Sequence, residues 1–202
     1  MYEQGDKKVL VCDVKRGASS SLRQYVEDMN FQAADINADC WPDCHNSSVN
    51  IFIVRHPLER LVSVFRDLKS GDYCIKHECS EVRRRDVEVL QHLSWSAFVD
   101  IVVSSRRFES DIAEAWSPVS QYCGLCLENL TPNYILHIDN LDKEAGVLQR
   151  SLKFQMQNKT TKFPRKRENK AGHSMGYNKE FFSQLSKAQV KFLRKFFIKK
   201  KF

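Results

Sequence analysis

Two arginines and a serine near the middle of the chain have the residue types and spacing of a phosphate site. Arg55 follows a short apolar run, and Arg60 and Ser63 come five and eight residues later. A guanidinium can hold a phosphate through two parallel hydrogen bonds, and a hydroxyl can donate another. These side chains therefore indicate a site for an anionic, phosphate-bearing ligand.

The elements around these residues would place them at the edge of a sheet. The run from Asn50 to Arg55 is rich in β-branched residues and predicts a buried strand. Pro57 suits the first position of a helix, predicted over Pro57–Leu68. Arg55 would then lie at the edge where open α/β sheets bind ligands. Arg60 and Ser63, as exposed positions of the helix, would lie at the same edge. An amphipathic strand–helix unit with surface arginines would show the same pattern.

An upstream stretch predicts a second phosphate-binding turn. A strand is predicted over Lys8–Val14, Gly17 interrupts it, and serines precede a helix predicted over Ser20–Met29. Free backbone N–H groups at a helix start, with the nearby Lys15, would cradle a phosphate. The Walker pattern of ordinary nucleoside triphosphatases is absent, which argues against that class.

The pattern R-x-P-x-x-R-L-V-S-x-F, which starts at Arg55, resembles a segment of the Golgi carbohydrate sulfotransferases. The nearest subset sulfates chondroitin, dermatan and related glycans. These enzymes take the sulfuryl group from PAPS (3′-phosphoadenosine 5′-phosphosulfate) and release PAP. The resemblance implies that Arg55 and Ser63 contact the 3′-phosphate of this co-substrate.

The upstream turn is similar to the 5′-phosphosulfate loop of the same family, P-K-x-G-x-[ST]-x-W. Lys15, Gly17 and Ser19 match the loop, whereas Val14 and Ser21 replace its proline and tryptophan. A basic loop around Arg165 could close over the nucleotide. The donor-binding residues implied in this way are Lys15, Arg16, Gly17, Ala18, Ser19, Ser20, Arg55, Ser63 and Arg165.

Further matches extend the resemblance over most of the chain, in the family's order. They cover Trp116–Cys126, Asn133–Asp139 with the following Leu141–Glu144, and the basic-aromatic terminus Tyr177–Phe202. The implied activity is transfer of a sulfuryl group from PAPS to a glycan hydroxyl, without a metal.

Sulfuryl transfer is an in-line displacement, like phosphoryl transfer, so charge stabilisation carries much of the catalysis. Lys15 would neutralise charge on the leaving 5′-phosphate. A base must accept the proton of the acceptor hydroxyl, and of the six histidines His45 is the best candidate. The alternatives are a catalytically inactive relative that binds nucleotide or glycan, and an unrelated phosphotransferase, which the missing Walker pattern disfavours.

Composition fits anionic partners. The 202 residues suit one domain over 1–202, and 42% hydrophobic residues can form a core. A net charge of +7 favours anions. Because no nucleic-acid-binding motif is present, the predicted partners are PAPS and an anionic glycan rather than nucleic acid.

Cysteines and glycosylation triplets favour a secretory compartment. The seven cysteines suggest disulfides whose connectivity the sequence does not specify. N-x-[ST] triplets begin at Asn46, Asn129 and Asn158. We therefore expect the Golgi lumen, or the Golgi membrane through an amino-terminal anchor that this chain does not contain.

Strands that alternate with helices predict an α/β fold: a three-layer, P-loop-like sulfotransferase domain around a central parallel sheet. A further strand is predicted at Tyr134–Ile138, and one near Phe31–Ile36. The other predicted helices are Val82–Leu93, Ser96–Ser104, Leu141–Phe154 and Lys179–Ile198, the last restarted by a capping box at Ser186 and Gln189.

Overall fold

The computed structural model describes residues 2–4, 7–12, 19–29, 31–33, 48–71, 73–74, 79–104, 115–118, 132–152 and 175–198. The chain divides into two compact units. We call Met1–Arg55 with Val119–Glu168 the sheet unit, and His56–Pro118 with Asn169–Phe202 the helical unit. The single domain expected over residues 1–202 stays a prediction.

The strands and helices follow one another along the chain. The strands are β1 (Tyr2–Gln4), β2 (Lys7–Cys12), β3 (Gln32–Ala33), β4 (Val49–Val54) and β5 (Tyr134–His137). The helices are α1 (Ser19–Asp28), α2 (Pro57–Lys69), α3 (Glu81–His92), α4 (Trp95–Ser104), α5 (Leu141–Leu152), α6 (Met175–Ser183) and α7 (Lys187–Ile198).

The five strands form one sheet in the order β3-β1-β2-β4-β5. Strands β2, β4 and β5 run parallel, and their apolar, β-branched sequences are those of strands buried in an α/β sheet. Strand β1 pairs antiparallel with both β2 and β3. The predicted parallel sheet is therefore confirmed at its centre, and the sequence did not reveal its antiparallel edge.

Two asparagines fix the register at the amino ends of β4 and β5. The backbone N–H of Asn50 donates to the side-chain oxygen of Asn133 at 2.7 Å, and the N–H of Asn133 donates to the Asn50 carbonyl at 2.9 Å. The Asn50 side chain is buried and accepts from Ser48. A polar residue is thus tolerated in the sheet because its hydrogen bonds are satisfied.

Helices α1 and α5 cover one face of this sheet. Their apolar side chains form a core with residues that alternate along the strands, as one face of a sheet requires. This core contains Val9, Leu22, Tyr25, Val26, Met29, Ile51, Ile53, Leu136, Ala145 and Leu148. On the opposite face of β4, Phe52 is also buried. The predicted α/β class is confirmed, and its third layer stays a prediction.

The helical unit has an aromatic core. Phe65 of α2 packs against Trp95 and Phe98 of α4, with ring centroids 5.1 and 5.3 Å apart, and Phe181 of α6 lies 5.3 Å from Trp95. Most of these contacts are tilted or edge-to-face, the geometry that aromatic rings prefer. The core holds the helices of this unit together.

The predicted capping box is confirmed. The Ser186 hydroxyl accepts from the Gln189 N–H at 3.2 Å, and the Gln189 side-chain oxygen accepts from the Ser186 N–H at 2.9 Å. The Gln189 amide also donates to Ser96 and Asp100 of α4. The start of α7 is therefore tied to α4.

Gly71, just beyond the end of α2, has a φ of 73°, a conformation that glycine adopts without strain. A disulfide joins Cys74 and Cys79, with a Cα–Cα distance of 4.8 Å, which confirms the expectation of disulfides for this pair. Among the described helices, none is long and apolar enough to cross a membrane.

Candidate functional site

The carboxyl ends of β2, β4 and β5 meet at one edge of the sheet. Cys12, the last residue of β2, lies opposite Phe52 of β4, and Val54, the last residue of β4, lies opposite His137 of β5. Parallel strands bring residues that follow them to a common edge, where open α/β sheets bind their ligands. This edge is the candidate site.

Arg55 follows β4 directly and is half-buried. The Nε atom of its guanidinium is shielded from solvent, so packing restrains this side chain at the edge of the sheet. A restrained guanidinium loses less conformational freedom when it binds a planar or tetrahedral oxyanion than an exposed one would. The structure therefore places the Arg55 side chain at the end of β4. Its role in binding a phosphate stays a prediction.

Helix α1 begins at Ser19, seven residues after β2 ends. Ser19 and Ser20 occupy its first two positions, where unpaired backbone N–H groups and the helix dipole favour an anion. Their side chains lie outside the described residues. The start of helix α1 and the guanidinium of Arg55 are both suited to binding a phosphate.

Tyr25 secures helix α1. Its hydroxyl donates to the carbonyl oxygen of Ala145 in α5 at 2.8 Å, within the core. Burial raises the pKa of Tyr25 to about 12, so the phenol stays neutral as this hydrogen bond requires. Burial also raises the pKa of Tyr2 in β1, with Glu27 adding to the shift and Arg23 opposing it.

Helix α2 starts from the residue after Arg55. Its N-cap, His56, makes no side-chain capping bond, Pro57 starts the helix, and the Arg60 N–H donates to the His56 carbonyl at 3.0 Å. Proline at this position removes no intrahelical hydrogen bond. Ser63 lies in the second turn and is half-buried. Its role in binding a phosphate stays a prediction.

The interpretation of Arg60 as an exposed helical position was wrong. Its side chain is only 2% exposed, and its Nη2 donates to the carbonyl of Ser117. A buried charge needs such hydrogen bonds to offset the loss of hydration. Arg60 therefore has a structural role within the helical unit.

A histidine that the sequence did not single out lies at the sheet edge. His137 ends β5, its backbone N–H donates to the Glu144 carboxylate in the first turns of α5, and its Nδ1 lies 3.1 Å from Oε1 of Glu144. An ionised carboxylate only accepts, so a neutral ring facing it carries its proton on Nδ1 and has a lone pair on Nε2. The side chain of His137 is 58% exposed and thus accessible to a ligand.

One sequence signal could have identified this pair. A strand that ends in histidine is followed by a helix with an acidic residue in its first turns. His137 ends a strand and Glu144 lies in the helix that follows, so the periodicity of neither element relates the two side chains. The turn of 3₁₀ helix between them, Ile138–Asn140, brings the two side chains together.

Six of the predicted site residues lie outside the described residues. They are Lys15, Arg16, Gly17, Ala18, His45 and Arg165. Among the residues that the structure does describe, no three His, Cys, Asp or Glu side chains converge as a metal site would require.

Comparisons with known proteins identify the family. The family model described as "Sulfotransferase family" matches residues 4–199. No curated protein and no solved structure matches the chain significantly. The family match begins at the last residue of β1, includes all of α7 and therefore covers the whole sheet edge described above. The chain belongs to the sulfotransferase family.

Proposed function

We propose that this protein transfers a sulfuryl group from PAPS to a hydroxyl of a glycan, in the manner of the carbohydrate sulfotransferases. The observation that carries the proposal is the position of Arg55. It follows the central parallel strand of a chain whose sulfotransferase match runs from residue 4 to residue 199. The acceptor we favour is a glycosaminoglycan or another chain containing N-acetylhexosamine, because the chain is basic, at +7.

In this proposal the donor is held at both of its phosphate ends. Arg55 and Ser63 bind the 3′-phosphate, and a charge-assisted contact of this kind is stronger than a neutral hydrogen bond. Lys15, Gly17 and Ser19, with the first N–H groups of α1, bind the 5′-phosphosulfate. Arg16, Ala18 and Ser20 complete that loop, and Arg165 closes over the nucleotide.

The chemical step is a displacement at sulfur. The acceptor oxygen forms a bond to sulfur as the bond from sulfur to the 5′-phosphate oxygen breaks, and the electron pair goes to that phosphate. Lys15 stabilises the negative charge that develops there, which lowers the barrier more than it strengthens donor binding. The proton of the acceptor hydroxyl passes to a base.

His45 and His137 are the two candidates for that base. His45 was proposed from the sequence. His137 has in its favour the Glu144 carboxylate, which would orient the ring and stabilise the imidazolium that forms on proton uptake. Substituting each by glutamine distinguishes them: the base is the histidine whose loss lowers single-turnover transfer while PAP affinity is retained.

The Cys74–Cys79 disulfide supports a further part of the proposal, that the protein works in the Golgi lumen. Disulfides persist in oxidising secretory compartments and are rare in the cytosol.

The experiment that tests the proposed function is incubation with radiolabelled PAPS and a panel of desulfated glycosaminoglycans. We expect label in the polymer, and less of it with the Arg55→Ala variant when PAPS is below saturation. A folded protein that binds PAP but labels no glycan would contradict the proposed transfer and favour an inactive, nucleotide-binding relative.

A further inference from the structure

Helix α7 has a cationic face that differs from the charged face of helix α3. Four basic side chains in its 12 residues are exposed, and the helix contains no acidic residue. The four are Lys187, Lys191, Arg194 and Lys195. They contribute four positive charges to a chain whose net charge is +7.

The arrangement of these cations follows from helical geometry. Lys187, Lys191 and Lys195 are spaced four residues apart, so they lie on one side of the helix along about 12 Å of its axis, and Arg194 flanks them. The opposite side of α7 contains Leu193, which is buried in the aromatic core, and Gln189, which binds α4. Packing therefore fixes the cationic face toward solvent.

This face is not balanced by carboxylates. Among the described residues, no carboxylate forms an ion pair with any of the four cations. Lysines four residues apart repel each other and destabilise a helix. A charged face that served only solubility would gain from acidic partners at this spacing.

Helix α3 provides that contrast. It carries three arginines and three acidic residues, and its Arg85 pairs with Glu81 at 2.9 Å with the i,i+4 spacing that stabilises helices. Both helices belong to the helical unit and both are amphipathic. Of these two helices, α7 is the one whose cations have no carboxylate partner among the described residues. A positive face of this kind attracts a polyanion, and added salt weakens the attraction.

We infer that the α7 face binds the anionic polysaccharide acceptor, outside the donor site. The inference rests on the proposed function for the identity of the acceptor class. Lysine is a compact charge on a flexible stem, so a row of lysines suits sulfates and carboxylates that repeat along a polymer. Phe192, beside this row and 51% exposed, offers an aromatic surface for the apolar face of a sugar ring.

A membrane surface fits these observations less well. Helices that lie in a membrane interface insert a broad apolar face, whereas the apolar side of α7 packs into the aromatic core through Leu193, Phe196 and Phe197. Among the side chains of this helix that the structure describes, Phe192 is the large apolar one that remains exposed. A nucleic acid is an alternative polyanion, and the test below includes it.

The test compares two double variants of the 202-residue chain that have the same net charge. Lys191→Gln/Lys195→Gln and Arg84→Gln/Arg85→Gln each remove two positive charges, from α7 and α3 respectively, and change the net charge from +7 to +5. Binding of fluorescently labelled chondroitin sulfate is followed by anisotropy at low and at physiological salt. A Lys191→Arg/Lys195→Arg variant keeps the charge.

We expect the α7 glutamine variant to bind the polysaccharide about fivefold to 30-fold more weakly, as for the loss of two exposed ion pairs, with a shallower salt dependence. The α3 control and the arginine variant should stay within about twofold of the wild type. Equal weakening of the α7 and α3 variants, or no binding by the wild type, would overturn the inference.

Two further probes decide the class of partner. Duplex DNA of matched charge and phosphatidylserine vesicles are tested in the same way. If either binds more tightly than the polysaccharide and loses that binding in the α7 variant, the inference that a polysaccharide binds this face is overturned. A PAP-induced rise of the melting temperature is measured on the same samples. If that rise is present and polysaccharide binding is absent, this inference fails alone; if the wild type shows no rise, the proposed donor site fails.

Discussion

The sheet unit and the helical unit organise their interiors and their exposed chemistry differently. The sheet unit buries mainly aliphatic side chains between its strands and helices α1 and α5, and its candidate chemistry lies where the parallel strands end. The helical unit buries aromatic rings that pack against one another, and its distinctive exposed feature is the row of basic side chains on α7. Under the proposals above, most of the residues that hold the small, densely charged donor follow strands of the sheet unit, whereas helix α7 of the helical unit offers a long surface to a polymer.

The largest expected effect concerns the aromatic core. Phe98→Ala should lower the free energy of unfolding by about 3–5 kcal/mol, because Phe98 is fully buried and its ring lies 5.3 Å from Phe65 and 5.5 Å from Trp116. Urea unfolding measures the change. Phe192→Ala, at an exposed position, should stay within about 0.5 kcal/mol; a similar loss in both variants would contradict the assigned core.

The edge of the sheet unit is tested through catalysis rather than stability. Lys15→Ala should slow single-turnover sulfuryl transfer by about 100- to 1,000-fold, with a smaller change in PAP affinity, because its charge acts mainly on the leaving group. The control is Lys8→Ala in β2, whose ammonium lies 3.5 Å from Glu3 and should not affect transfer.

If the Lys15 variant kept both rate and affinity, the loop assignment would be wrong. A wild type that binds PAP tightly and transfers nothing would instead favour the inactive relative.

Arg55 belongs to the sheet unit and Arg60, five residues later, to the helical unit, so substituting each in turn compares the roles of the two units. Arg55→Ala should weaken binding of PAPS by about 10- to 150-fold, as expected for a lost charge-assisted contact. Adenosine 5′-phosphosulfate, which lacks the 3′-phosphate, should bind almost equally to wild type and variant. Isothermal titration calorimetry with both ligands measures the two ratios.

The matched control is Arg60→Ala in the helical unit. Arg60 is buried and donates to Ser117, so its loss should lower stability by about 1–3 kcal/mol and leave the preference for PAPS intact. Equal loss of both nucleotides in the Arg55 variant would show that Arg55 does not read the 3′-phosphate.

The smallest effect is a pH-dependent one within the sheet unit. Tyr25→Phe removes a buried hydrogen bond to Ala145 and should cost about 0.5–1.5 kcal/mol. Burial raises the pKa of Tyr25 from 10.0 to about 12, so its contribution is complete below pH 10 and is lost as the pH rises toward about 12. Urea unfolding of both proteins at about pH 8 and about pH 11 should show the difference shrinking; a constant difference would contradict the assigned ionisation.

The sequence predicted the parallel strands well, because apolar, β-branched runs are typical of buried strands. The predicted strand Asn50–Arg55 is β4 shifted by one residue, and the predicted strand at Lys8–Val14 is β2, which ends at Cys12. Strand β1 was missed because three residues of mixed polarity, Tyr2–Gln4, show no recognisable alternation. Helix bounds at α2 and α5 agree within two residues.

Contacts between distant segments could not be predicted. Arg60 is buried, and the carbonyl of Ser117, 57 residues later, accepts a hydrogen bond from its guanidinium. The pairing of Cys74 with Cys79 is one choice among many for seven cysteines. His137 and Glu144 meet because a strand, a 3₁₀ turn and a helix fold back on each other. In each case the partner depends on the path of the chain rather than on local composition.

If the carboxyl edge of the sheet binds a nucleotide with a 3′-phosphate, PAP should stabilise the folded protein. Thermal and urea unfolding are recorded for the wild type with PAP at about 100 times its dissociation constant, where linkage predicts about 2.7 kcal/mol of added stability. We expect this stabilisation for the wild type and only about 0.3–1.4 kcal/mol at the same PAP concentration for the Arg55→Ala variant, because its affinity should be about 10- to 150-fold lower. A correctly folded wild type whose unfolding is unmoved by saturating PAP would contradict the account.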